Sequence, residues 1–205
     1  MSRSRHLMVV SAAAVLLASS AGLRAQDPQA PVDDSVVLES TAGAGQNGRL
    51  AVNIAAGSLN QQASSLVLAQ GEVAATREKL TQRSDAGEGE DRATRIVVGE
   101  GVFAGHSGVA SINITAGTGN QSANLASIAI GQAGALSDQM LEQARAPIEP
   151  SGGPTTTASG RNDFIDIDDG AFAGGSGVLQ ANLIGGERNS SANTFSLAIA
   201  AGGQP

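Results

Sequence analysis

The chain contains the same segment three times, and this repetition constrains its fold more than any other feature. Segments 36–69, 96–129 and 165–198 align without gaps. Asn53, Asn113 and Asn182 share one column, and Gly57, Gly117 and Gly186 a second. A third column holds Asn60, Asn120 and Asn189, and a fourth Ala63, Ala123 and Ala192. Upstream, Gly45, Gly105 and Gly174 match, as do Gly48, Gly108 and Gly177. Self-similarity of this length marks small units that cannot bury an apolar face alone and must stack on one another.

Inside each copy the pattern has period two. Leu50, Val52 and Ile54 alternate with Ala51, Asn53 and Ala55, and Ala110, Ile112 and Ile114 repeat the arrangement. Alternation of this kind predicts a strand with one apolar face. The Gly and Asn of Ala55-Ala56-Gly57-x-x-Asn60 then supply the positive φ and local side-chain bonding of a tight turn. A second strand follows and is expected to bury Leu66 and Leu68, Ala126 and Ile128, and Phe195 and Leu197 in equivalent places.

Parallel stacking of the copies would place each apolar column on its own repeat at strand spacing, about 4.7–4.9 Å. The Asn columns would then become amide ladders, each side chain donating to one layer and accepting from the next, which satisfies groups that are costly to bury unpaired. The Asn53 column lies in mid-strand and suits this role. For the Asn60 column, at the turn, a simple turn preference is the competing account.

Composition enters the argument here. The chain has no Cys, Trp or Tyr and only four Phe, against 27 Gly. Small side chains suit thin stacked layers more than a thick globular core, and without cysteine neither disulfides nor thiolate metal sites can form. Length variation falls between the repeats, in 70–95 and 130–164. The first carries a charged run over 77–95, and the second a short helix expected over 135–144 followed by a Pro/Gly/Ser/Thr-rich stretch. Both read as solvated, flexible linkers.

At the N-terminus, Arg3 and Arg5 precede an apolar run over 7–17, and small residues follow up to Ala25. This reads as a secretory signal, 1–25, and the run is too short for a spanning helix. Residues 26–35 are a lead-in and 199–205 a tail. Removing 1–25 takes away three arginines and no acid, so the formal charge moves from −7 to about −10. Nucleic acid is excluded as a partner on that account.

The stretches VNIAAGSLNQQAS from Val52 and INITAGTGNQSAN from Ile112 resemble the repeat motif of the Fap functional amyloids, secreted bacterial proteins whose subunits polymerise into biofilm fibres. The motif residues are Asn53, Gly57, Asn60, Gln61 and Gln62 in the first copy and Asn113, Gly117, Asn120 and Gln121 in the second. The third copy keeps Asn182, Gly186 and Asn189 but has Ser190 in place of glutamine. Fap fibre subunits often carry a cysteine pair near the C-terminus, which this chain lacks. The resemblance implies that these residues stack during assembly. It also implies partners that are copies of the chain and related fibre subunits, export machinery in the outer membrane, and a secreted or cell-surface location reached through the periplasm.

Other motifs carry little chemistry. Gly43-Ala-Gly-Gln-Asn-Gly48 matches a dinucleotide fingerprint in form only, because the other copies break it and no helix follows. His106 occupies a column shared with Gln46 and Gly175 and reads as a surface residue. Asp163, Asp166, Asp168 and Asp169 vaguely suggest calcium. Ile165 and Ile167 alternate with them, so a solvated strand edge that discourages uncontrolled pairing is the simpler account. No nucleophile and base stand in a catalytic setting, so the chain is read as no enzyme, with no cofactor and no metal.

The expected architecture is all-β: a parallel β-solenoid or cross-β stack of three imperfect repeats joined by flexible linkers. The expected function is a self-assembling structural protein of functional amyloid fibres in the biofilm matrix or at the cell surface. A monomeric or surface-tethered β-repeat adhesin, with the linkers as contact surface, is the alternative. A chain that is largely disordered until it meets a fibre is a third.

Overall fold

The computed structural model describes residues 34–84, 92–146 and 163–201, and their regular structure is strand throughout. The first rung contains β1 (Asp34–Leu38), β2 (Asn47–Ala56) and β3 (Gln61–Ser84). The second contains β4 (Thr94–Val98), β5 (Ser107–Ala116) and β6 (Gln121–Arg145). The third contains β7 (Phe164–Ile167), β8 (Ser176–Gly185) and β9 (Ser190–Ala200).

Each rung contributes one strand to each of three parallel sheets, ordered β1-β4-β7, β2-β5-β8 and β3-β6-β9. The register follows the repeat columns: Asn53 pairs with Asn113 and Asn113 with Asn182, while Ala63 pairs with Ala123 and Ala123 with Ala192. A slip of one residue would turn each strand's apolar set to the wrong face, so alternation and register enforce one another.

Between the β1 and β2 sheets lies an apolar core. Val36, Ile96, Val98, Ile112, Ile114 and Ala116 form it, closed at the arc by Val102 and Phe103. The middle rung has neighbours above and below, so Ile96, Ile112, Ile114 and Leu125 are 0% exposed. In the terminal rungs, Leu68 and Leu197, expected to be buried, are 62% and 37% exposed. Their counterpart Ile128 on the middle rung is half-buried, so much of the shielding comes from a neighbouring rung.

The expectation of flexible linkers over 70–95 and 130–164 is corrected in part. β3 runs on to Ser84 and β6 to Arg145, paired residue for residue past an irregularity between Gly71 and Val73. The helix expected over 135–144 is therefore strand. Its Ala, Leu, Gln and Met are good helix formers, but a parallel partner edge overrides that weak preference. The alternation is visible in the partner, where Ala74, Thr76, Glu78 and Gln82 are buried while Arg77, Lys79 and Arg83 face solvent.

At Gly71 and at Gly131 the long strands fold back on themselves. Gln61 Nε2 donates to the Arg83 carbonyl, and Gln121 Nε2 to that of Ala144 at 3.0 Å. Gly131 is required at the bend, because a Cβ there would lie 1.7 Å from the Gly134 carbonyl oxygen. A rung therefore has up to four arms, the fourth being 73–84 or 134–145. Residues 1–33, which include the expected signal and most of the lead-in, lie outside the described residues. So do 85–91, 147–162 and 202–205.

Candidate assembly columns

β2, β5 and β8 turn their second face toward β3, β6 and β9, and that gallery is polar. Asn113 Nδ2 donates to Asn53 Oδ1 at 2.7 Å, and Asn182 Nδ2 to Asn113 Oδ1 at 2.9 Å. Each amide also reaches the facing sheet: Asn113 to the Ala63 carbonyl and Asn182 to that of Ala123, both at 3.0 Å. The shared acceptor Asn113 Oδ1 receives Ser122 Oγ at 2.6 Å and Asn124 Nδ2 at 3.0 Å. Asn113 and Asn124 are 0% exposed, and with this many partners their polar groups are satisfied.

The turn column forms a ladder as well. Asn120 Nδ2 and its backbone N donate to Asn60 Oδ1 at 3.2 and 3.0 Å, and the Asn189 backbone N donates to Asn120 Oδ1 at 2.8 Å. The Asn60 and Asn120 amides also reach the carbonyls of Gly117 and Gly186, both at 2.8 Å. These side chains hold the turn of one rung to the turn of the next, which goes beyond a local turn preference.

Gln61, Gln121 and Ser190 form a third line, with bonds of 3.2 Å from Gln121 Nε2 to Gln61 Oε1 and from Ser190 Oγ to Gln121 Oε1. Ser190 continues the line from which the third copy dropped its glutamine. Gln62 differs: its amide donates to the Ile54 carbonyl and to Thr115 Oγ1, both at 2.8 Å.

The glycine column has a second reason beyond its positive φ of 94°, 113° and 96° at Gly57, Gly117 and Gly186. A Cβ on Gly57 would lie 2.2 Å from the Gly117 carbonyl oxygen, and one on Gly117 2.0 Å from that of Gly186. The neighbouring rung's backbone occupies the space of the missing side chain. Sequence reasoning identified the turn but not this contact.

It also missed the Phe103 column. The Phe103 ring packs on Phe172 at 5.8 Å between centroids, and a Cβ on Gly43 would lie 2.6 Å from that ring. The fingerprint-like glycines 43–48 thus lie in the arc between β1 and β2, where they accommodate an aromatic ring. The signal was present, since Gly43, Phe103 and Phe172 share a repeat column.

His106 is corrected. It is 5% exposed, not a surface residue, because its ring fills the space beside Gly175, whose Cβ would lie 2.2 Å from the ring. Asp163, Asp166, Asp168 and Asp169 are exposed, and Asp168 Oδ1 accepts from the Gly170 backbone N at 2.8 Å.

Among the described residues the stack ends in open rungs. β1, β2 and β3 lie at one edge of their sheets and β7, β8 and β9 at the other. No solved structure matches the chain. The model of the functional amyloid protein FapB/FapC family matches residues 16–200. With that span covered, and with the amide columns stacked as described, the chain belongs to the FapB/FapC family of functional amyloid proteins.

Proposed function

We propose that the chain is an exported structural subunit that polymerises end to end into amyloid fibres of the biofilm matrix or cell surface, and that it is not an enzyme. The observation that carries this reading is the complementarity of the two ends. Within the stack each Asn of the first ladder donates to the rung before it. Among the described residues, Asn53 Nδ2 at the first rung donates to no acceptor. At the third rung, Asn182 Oδ1 accepts from Ser191 Oγ at 2.7 Å and from Asn193 Nδ2 at 3.0 Å, as Asn113 Oδ1 does from Ser122 and Asn124. Asn113 Oδ1 takes one more donor, from the next rung. An incoming copy's Asn53 would supply the equivalent bond to Asn182.

Two further features support addition in register. The third-rung end exposes Phe164, Ile165, Ile167, Leu179, Leu197 and Ile199, an apolar set that a following rung would cover. Among the described residues both ends carry unpaired strand edges, the usual template for pairing with another chain. In this role Asn53, Asn113 and Asn182, Asn60, Asn120 and Asn189, Gly57, Gly117 and Gly186, and Gln61, Gln62 and Gln121 form the assembly surface. Residues 1–25 would direct export to the periplasm. Outer-membrane export machinery and related fibre subunits would be the partners, with no role for nucleic acid.

The test is fibrillation of purified residues 26–205, followed by thioflavin fluorescence and fibre diffraction. Seedable fibres with a meridional repeat of about 4.7–4.8 Å support the reading. A chain that remains folded and monomeric at high concentration overturns it.

A further inference from the structure

Among the described residues the fourth arm is one rung short. The 134–145 segment pairs with 73–84 on one side. On its other side the β6 ladder with β9 stops at Gly131 and Ala200, and no described residue continues it. Ser190, Ala192, Thr194 and Ser196 of β9 lie exposed, whereas Gln61, Ala63, Ser65 and Val67 of the other terminal rung, which has its fourth arm, are half-buried. This leaves a slot one strand wide, with an unpaired backbone edge as one wall and a row of small side chains as its floor.

The lining defines what would fit. Inside the slot, Gln143 Nε2 donates to Gln82 Oε1 at 2.7 Å, and among the described residues Gln143 Oε1 receives no donor. Gln139 and Gln143 lean across to the Phe195 and Ser191 carbonyls at 2.9 and 3.4 Å. On the outer side the rule of the arm is base against acid, with Arg77 to Asp138 at 3.5 Å and Arg83 to Glu142 at 3.2 Å. The open side of 134–145 therefore presents Asp138 and Glu142. At the far end stand Arg145, whose Nη2 donates to Ser190 Oγ and whose buried Nε has no partner among the described residues, and Arg188, whose Nη2 donates to the Ala146 carbonyl at 2.7 Å. Burial, and then the neighbouring Arg188, push the Arg145 guanidinium below its ordinary value, an arrangement that a carboxylate would relieve.

We propose that this open third-rung position docks an extended polypeptide strand from another protein, laid parallel to 134–145. Its outward residues are basic over Asp138 and Glu142, its inward residues are small or carry amides, and a carboxylate meets Arg145 and Arg188. Backbone pairing along the edge supplies affinity and the alternate side chains supply selectivity. Because the edge belongs to a single subunit, the site does not depend on polymerisation.

The test uses the purified full chain and a fluorescein-labelled synthetic peptide of the same length as 134–145. The peptide carries Ser, Thr and Gln inward, two Lys outward and a free C-terminal carboxylate, and binding is read by anisotropy. The expected result is saturable binding with one peptide per chain. Exchanging Lys for Glu in the peptide, or Asp138 and Glu142 for Lys in the chain, should weaken it by at least about tenfold, roughly 1.4 kcal/mol. The Asp138→Lys/Glu142→Lys chain should then prefer the Glu peptide. Both positions are solvent-facing, so the doubly substituted chain should fold. N-methylation of alternate peptide amides should abolish binding, because it removes the edge bonds and leaves the charge. Equal binding of the N-methylated peptide, indifference to charge, or no saturable binding overturns the proposal.

Discussion

The two galleries that flank the β2-β5-β8 sheet are filled by opposite means. On one side Leu50, Val52 and Ile54 face β1 and its repeats, and the columns vary freely: Val36, Ile96 and Ile165 in one, Val52, Ile112 and Ala181 in another. On the other side Asn53, Asn113 and Asn182 do not vary. Hydrophobic burial is non-directional and tolerates a change of shape at modest cost. An amide ladder works only if donor and acceptor recur at the same place on each rung, and a missing member leaves buried groups unpaired. The apolar gallery therefore holds the layers together, while the polar gallery specifies the register in which rungs meet.

That contrast can be broken by substitution. The largest effect is expected from Gly117→Val, which forces a side chain into the space of the Gly186 carbonyl oxygen at a backbone φ of 113°. A loss of about 3 kcal/mol or more is expected from clash and strain combined, read as a lower denaturant midpoint and slower fibre elongation. A loss under about 1 kcal/mol would mean that the turn relaxes without disturbing the stack.

Next comes Asn113→Leu, which keeps the branching at Cγ and removes the bonds to Asn53, Ala63 and Asn182. We expect a loss of about 2–4 kcal/mol from the partners left unsatisfied, together with a broader distribution of registers in amide hydrogen exchange. A neutral result would show that the polar gallery accepts apolar filling as the other gallery does. Ile112→Val, one residue away on the apolar face, should cost only about 0.5–1.5 kcal/mol and leave the register intact by the same exchange measurement. Smallest is Arg77→Gln, which removes an exposed ion pair with Asp138 at 3.5 Å. At most a few tenths of a kcal/mol is expected, shrinking further in high salt.

The repeat columns made much of this legible in advance. Equal residues at equal positions imply a parallel stack, and alternation over 50–55 identifies which residues face the apolar core. The fourth arm was not legible, because 135–144 carries helix-forming residues and repeats no column of the third copy. Its strand state depends on an edge supplied by 73–84, a partner that becomes visible only when the rungs are stacked. His106 failed for a related reason. Its column holds Gln46 and Gly175, and only the stack shows that Gly175 leaves room for a buried ring.

The sequence by itself determined the rung, its alternation and the columns that must meet, because these follow from local periodicity and from repetition along the chain. Tertiary structure alone decided where backbones approach too closely for a side chain, which polar atoms find partners, and how many arms each rung carries. Those outcomes depend on distances between segments 60 or more residues apart, and no local pattern encodes such a distance.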